Sequence, residues 1–185
     1  LAAMAEALER VERRFGAGAL PGRATDLAAN THAFEILIGP YAVAHLRLSQ
    51  QVIAAGGQLP PDGAHVYLTD TLESPYAAPP GQMTLLHRPL SEEHRRAQKV
   101  KSETRVLVCI GNPPYDRQVI EPGDLVTDRK GGWVRFGDAG ERAILEDFLE
   151  PARALGAGVH LKNLYNDYVY FWRWALWKVF ESTEA

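Results

Sequence analysis

The stretch Arg105-Val-Leu-Val-Cys-Ile-Gly-Asn-Pro-Pro-Tyr115 limits the possible folds of this chain more than any other. Arg105 to Ile110 is a short apolar run rich in β-branched residues, which predicts a strand buried on both faces. At Gly111 the pattern stops. Pro113 and Pro114 cannot continue a central strand, because each lacks a ladder N–H and has its φ locked. The residue before a proline is also held extended. The expectation is a stiff loop at the carboxyl end of a strand, the edge where open α/β sheets bind ligands. On such a loop the Asn112 side-chain oxygen and the Pro113 carbonyl are two fixed acceptors. They suit an exocyclic amino group, and Tyr115 offers a face on which a flat, extruded base would stack. The competing reading is an ordinary strand-to-loop stop.

Composition sets the outer limits. A chain of 185 residues, 46% hydrophobic and 23% charged, is one globular domain or a large part of one. Its net charge of −3 gives no general pull toward nucleic acid, so any DNA contact would come from a local patch. The single cysteine, Cys109, lies in the apolar run and reads as a core residue. One cysteine allows neither a disulfide framework nor a zinc spacing, and the six histidines show no ligand pairing. No segment reads as a signal peptide or a membrane span, so a cytoplasmic protein is the default. The first residue is Leu1, which fits a piece of a longer polypeptide.

Met4, Leu8, Val11 and Phe15 form one helical stripe that Gly16 ends, and Thr25 to Asn30 reads as a further helical turn. His32 to Ile38 predicts a buried strand, and Gly39-Pro40 then starts a helix over 41–55 with Val43, Leu46, Val52 and Ile53 as its apolar face. Glu35 is a carboxylate in that strand. It is either an edge or paired charge, or an acceptor for ribose hydroxyls near a strand end. Val66 to Asp70 predicts a third strand. Asp70 either caps the next turn or accepts from an amino group.

Ser91 is a candidate cap for a helix to about Val100, with Glu92 and Glu93 in its first turn. His94, Arg95, Arg96, Lys99 and Lys101 make that helix either a solvated face or a phosphate-contacting patch. Asp116 to Ala139 is polar and rich in Gly and Pro, a cover or a linker. Glu141 to Leu155 predicts a helix interrupted at Pro151. Leu161 to Glu181 predicts a strong one, with Leu164, Tyr168, Phe171, Trp172, Ala175, Leu176 and Val179 on one face. Its tryptophans, Trp172, Trp174 and Trp177, are expected to pack on a sheet or a neighbouring domain.

Asn112-Pro113-Pro114-Tyr115 after an apolar strand resembles the catalytic loop of S-adenosylmethionine-dependent methyltransferases acting on amino groups, the DNA adenine-N6 enzymes above all. The segment Ala33 to Leu48 is similar to the part of those enzymes where a Glu, here Glu35, binds the cofactor ribose. Thr69-Asp70-Thr71-Leu72 resembles the segment whose Asp binds the cofactor adenine. Asn163-Leu164-Tyr165 resembles the start of the helix lining the cofactor pocket, and Asn163 to Lys178 is worded like the single-polypeptide (type ISP) restriction-modification enzymes.

The resemblance implies an α/β, Rossmann-like class I methyltransferase sheet, incomplete at both ends. It is preceded by a helical lead-in over 1–31 and carries cofactor-binding and catalytic strands over 32–115. A mobile loop and helix over 116–160 and a helix packing on the sheet over 161–181 follow. It implies Asn112, Pro113, Pro114 and Tyr115 as catalytic residues, and Glu35, Asp70, Thr71 and Asn163 as cofactor-binding ones. S-adenosylmethionine is the implied cofactor, with no metal and no membrane. The implied partners are double-stranded DNA with a flipped adenine, and the helicase–nuclease and target-recognition domains of the same polypeptide. Two family features are absent: the Gly-rich loop before Glu35, and strands after the last helix. Cytosine N4 or a protein glutamine amide as target, or a degenerate methyltransferase-like module that binds DNA or acts as a scaffold, are the alternatives.

Overall fold

A computed structural model describes residues 1–77, 88–113, 131–156 and 158–182. The chain is mostly helical, with one two-stranded parallel sheet, and it divides into two compact units. The first comprises residues 1–70 and helix α4 as far as Ala97, and the second the rest.

In the first unit α1 (Ala2–Phe15) buries Met4 and Leu8 of its predicted stripe but leaves Phe15 exposed, and it ends at Gly16 with φ +80°. Helix α2 (Leu20–Asn30) starts five residues before the predicted turn at Thr25. A 3₁₀ turn (Ala17–Ala19) runs directly into it, and Pro21 is tolerated in a first turn. The strand predicted over His32–Ile38 is only β1 (Ala33–Glu35). It stops because Glu35 Oε1 accepts the N–H groups of Ile36 and Leu37, both at 2.9 Å, and turns the chain into α3 (Ile38–Ala54). Strand β2 (Val66–Leu68) pairs with β1 in parallel, with Ala33 opposite Val66 and Glu35 opposite Leu68. Two parallel strands joined through a helix make a βαβ unit.

One face of this pair supplies Val66 and Ala33 to a core with Met4, Leu8, Ala24, Ala28, Leu48 and Val52. On the other face in-register rings meet. His32 stacks on His65 with centroids 5.0 Å apart, close to the spacing of neighbouring strands, and Phe34 lies 6.0 Å from Tyr67 with its ring tilted. The predicted apolar face of α3 needs correction: Leu48 and Val52 are buried, whereas Val43, Leu46 and Ile53 are exposed.

In the second unit the buried residues include Leu72, Val100, Trp133, Val134, Leu145, Leu149, Tyr170, Trp174 and Trp177. Helix α4 (Arg88–Glu103) begins before Ser91, so Ser91 lies within it rather than capping it. Helix α5 (Gly132–Phe136) falls inside the stretch read as a cover or linker. Trp133 is in fact core, its ring 4.8 Å from that of Trp177 in an edge-on contact. Residues 114–130, the rest of that stretch, lie outside the described residues. Helix α6 (Glu146–Ala154) starts later than Glu141 and contains Pro151.

The helix predicted over Leu161–Glu181 is broken. A 3₁₀ segment (Gly158–Leu164) precedes α7 (Asp167–Leu176), which continues as a π turn (Trp177–Glu181). The Asn166 side chain accepts the Val169 N–H at 3.0 Å, which makes Asn166 the cap and forbids an earlier start. The buried face also differs from the predicted one. It holds Tyr170, Arg173, Trp174, Trp177 and Lys178, while Tyr168 and Trp172 are exposed. Arg173, 2% exposed, donates to the Ile144 carbonyl at 2.8 Å and to the carboxylates of Glu181 and Asp147.

Lys178 is 1% exposed and donates to the Lys101 carbonyl at 2.8 Å. Burial pushes its ammonium down to about 8 from 10.5. Between these two values the unfolded chain holds a proton that the folded chain has released, so stability rises with pH across that window. The gain is on the order of 3 kcal/mol. Lys178→Met, which removes the buried charge, is expected to melt a few degrees higher than wild type at pH 7. The difference is expected to shrink as pH rises and to reverse by pH 10.5, where the neutral lysine still donates to the Lys101 carbonyl and methionine cannot, as calorimetry across that range would show.

Candidate functional site

Parallel pairing brings the carboxyl ends of β1 and β2 to the same edge, and two of the predicted ligand residues stand there. Glu35 is the last residue of β1, and its backbone carbonyl accepts the Thr69 N–H at 2.9 Å. Asp70 follows directly and is exposed. The Glu35 carboxylate is held by the Ile36 and Leu37 amides through Oε1. A carboxylate has about four acceptor positions, so two such bonds orient it without using up its capacity. The edge therefore carries one fixed carboxylate, Glu35, and a second, exposed one, Asp70, acceptors of the kind that suit ribose hydroxyls and an exocyclic amino group.

Two residues beside this edge, Glu93 and Tyr41, were not among the predicted site residues. Glu93, on α4, accepts the Leu68 N–H on Oε1 at 2.7 Å and the Tyr41 hydroxyl on Oε2 at 3.0 Å. Burial, together with the hydrogen bond and charge of Glu93, pushes the Tyr41 phenol up to about 12. The partners of Glu93 lie 25 and 52 residues away in sequence, so no local pattern could have signalled the contact.

In the basic run on α4, Arg95, Arg96 and Lys99 are exposed, and both arginines have carboxylate partners. Arg95 pairs with Glu92, and Arg96 approaches Asp62 at 3.4 Å and Glu92 at 3.5 Å. Lys101 is buried 3.8 Å from Glu73. The solvated-face reading fits the exposed Arg95 and Arg96 but not the buried Lys101.

The other predicted site residues belong to the second unit. Thr71 is half-buried in the turn after β2, and Asn163 is exposed in the 3₁₀ segment, its carbonyl accepting from Asn166 Nδ2 at 2.7 Å. The strand predicted over Arg105–Ile110 is not formed: residues 104–113 carry neither helix nor strand. Leu107, Val108 and Ile110 are 71–75% exposed, and Cys109 is exposed rather than buried. An extended apolar segment needs strand neighbours and covered faces to persist, and the sheet among the described residues consists of β1 and β2 alone. Asn112 is exposed and Pro113 half-buried on this segment. Pro114 and Tyr115 lie outside the described residues.

Among the described residues no group of three or more His, Cys, Asp or Glu side chains could hold a metal ion, and no helix is long and apolar enough to cross a membrane. Two surface hollows of about 460 and 420 Å³ lie in the first unit. Their linings, which include Arg47 and Gln51 in one and Val11 and Phe15 in the other, contain none of the predicted site residues. No family model, curated protein or solved structure matches the chain.

Proposed function

We propose that this chain is the cofactor-binding and catalytic part of a Rossmann-like methyltransferase that transfers a methyl group from S-adenosylmethionine to the N6 amino group of adenine in DNA. The observation that carries the reading is the parallel β1–α3–β2 unit with Glu35 and Asp70 on one carboxyl edge. Strand order supports it further. In a doubly wound sheet of order 3-2-1-4, the second and third strands are neighbours and the fourth is separated from them by the first. Taking β1, β2 and Arg105–Ile110 as the second, third and fourth segments accounts both for the pair that forms and for the segment that stays unpaired.

S-adenosylmethionine would supply an electrophilic methyl group on a sulfonium. Glu35 would accept the ribose hydroxyls, Asp70 with Thr71 would hold the adenine, and Asn163 would belong to the helix start lining the cofactor pocket. The Asn112 side-chain oxygen and the Pro113 carbonyl would accept the two hydrogens of the target amino group and so aim its lone pair. Pro114 would stiffen the loop, and Tyr115 would stack on the flipped base. No side-chain nucleophile is needed for such a transfer, and positioning with electrostatic support carries it. One observation favours a second reading: the exposed coil over residues 104–113 suits a methyltransferase-like module that binds DNA without turnover.

Equilibrium dialysis with labelled S-adenosylmethionine on the full polypeptide carrying this chain tests the reading. Glu35→Gln and Asp70→Asn are each expected to weaken binding about tenfold, the loss of one charge-assisted hydrogen bond. Asp26→Asn, an exposed change on α2, is the control and is expected to leave binding unchanged. Equal binding by all four proteins would remove the carboxyl edge from the account.

A further inference from the structure

The two hydrogen bonds of Glu93 fall on either side of the proposed cofactor edge. Leu68 lies two residues before Asp70, and Tyr41 sits in the first turn of the helix that begins three residues after Glu35. A single carboxylate thus ties the approach to one ligand residue to the departure from the other.

The ladder pattern shows why Leu68 is available for this. The Ala33 N–H is donated to the His65 carbonyl and the Thr69 N–H to the Glu35 carbonyl, so the odd-numbered residues of β2 face β1. In a parallel pair the even-numbered ones then point their N–H groups to the opposite edge. Glu93 therefore takes a ladder position on the outer edge of β2 that another strand would otherwise occupy. On its other oxygen it receives the partly buried Tyr41 hydroxyl rather than water.

We propose that Glu93 is a positioning residue that closes the outer edge of β2 and fixes the spacing of Glu35 and Asp70, an inference that rests on the methyltransferase reading where the cofactor is concerned. It touches neither carboxylate of the site and acts only through Leu68 and Tyr41. The position requires two hydrogen bonds, to Leu68 and to Tyr41, rather than a negative charge. Glutamine can accept the Leu68 N–H on its oxygen and donate its amide to the Tyr41 oxygen, whereas alanine can do neither.

Two measurements on the full polypeptide separate this inference from the functional reading. The first is amide hydrogen exchange on wild type, Glu93→Ala and Glu93→Gln. Glu93→Ala is expected to speed exchange at Leu68 and Thr69 about tenfold or more while α1 and α2 keep their protection, and Glu93→Gln is expected to restore it. The second is binding of labelled S-adenosylmethionine. Glu93→Ala is expected to raise Kd about tenfold, and Glu93→Gln to stay within about threefold of wild type. Unchanged exchange at Leu68 in Glu93→Ala, or uniformly faster exchange through α1, α2 and α3, would overturn the positioning role. Wild-type protein that fails to bind the cofactor would sink the functional reading, while the exchange data would still decide the role of Glu93.

Discussion

Gly132→Ala is expected to destabilise the second unit by about 3 kcal/mol or more, lowering its melting transition by many degrees or abolishing it. The chain passes Leu72 so closely here that the Trp133 N–H donates to the Leu72 carbonyl at 2.9 Å. A Cβ on Gly132 would fall inside the van der Waals envelope of that carbonyl oxygen and 3.0 Å from its carbon. The obstacle is backbone, so no side-chain rotation relieves it. Its φ of +43° adds a smaller strain for an L-residue. Relief would require α5 to move off Leu72, taking with it Trp133, whose indole packs edge-on against Trp177. Gly140→Ala is the matched comparison: its φ is +87° and nothing lies within 4 Å of a Cβ there. Only the φ strain, about 1 kcal/mol, is expected there. Thermal unfolding of both variants against wild type measures the difference, and equal losses would show that crowding at Leu72 does not matter.

Some of this architecture was readable because local signals and tertiary packing agree. Helix α1 has its apolar residues on one stripe and a glycine at its end, and it forms over that stripe with Met4 and Leu8 buried, although Phe15 is exposed. Glu35 and Asp70 were legible as carboxylates near strand ends, and parallel pairing places both on one edge. Where a segment is apolar on several sides, periodicity could not choose the buried face. Helix α3 buries Leu48 and Val52 instead of Val43, Leu46 and Ile53. Helix α7 turns Arg173 inward because Asp147, Glu181 and the Ile144 carbonyl satisfy its guanidinium, a set of partners no local pattern displays. Trp133 was hidden in a polar, glycine-rich stretch, yet those glycines allow the close approach to Leu72 that buries it. The Arg105–Ile110 run has strand-forming residues, but strand formation depends on a neighbour, which composition does not specify.

Asn112→Ala is expected to reduce methyl transfer by a factor of about 100 to 1000. Under the proposed reading the substitution would remove one of the two acceptors assigned to the target amino group, the scale of loss seen when a fixed polar group is taken from a reacting centre. Asn112 is exposed on a coil segment with no helix or strand to support, so the variant is expected to melt with wild type. Cofactor affinity is likewise expected to stay unchanged, because the cofactor is assigned to other residues. A fall in turnover at constant binding marks a contact made to the substrate as it reacts.

The most direct measurement incubates the full polypeptide, wild type and Asn112→Ala, with methyl-labelled S-adenosylmethionine and mixed-sequence DNA, then digests the DNA to nucleosides. The account predicts label in N6-methyladenine from wild type and its near-complete loss from the variant. Label in N4-methylcytosine would keep the loop chemistry and change the target. Cofactor bound without label in DNA would move the search to a protein amide. Wild type that neither binds the cofactor nor labels DNA would contradict the account.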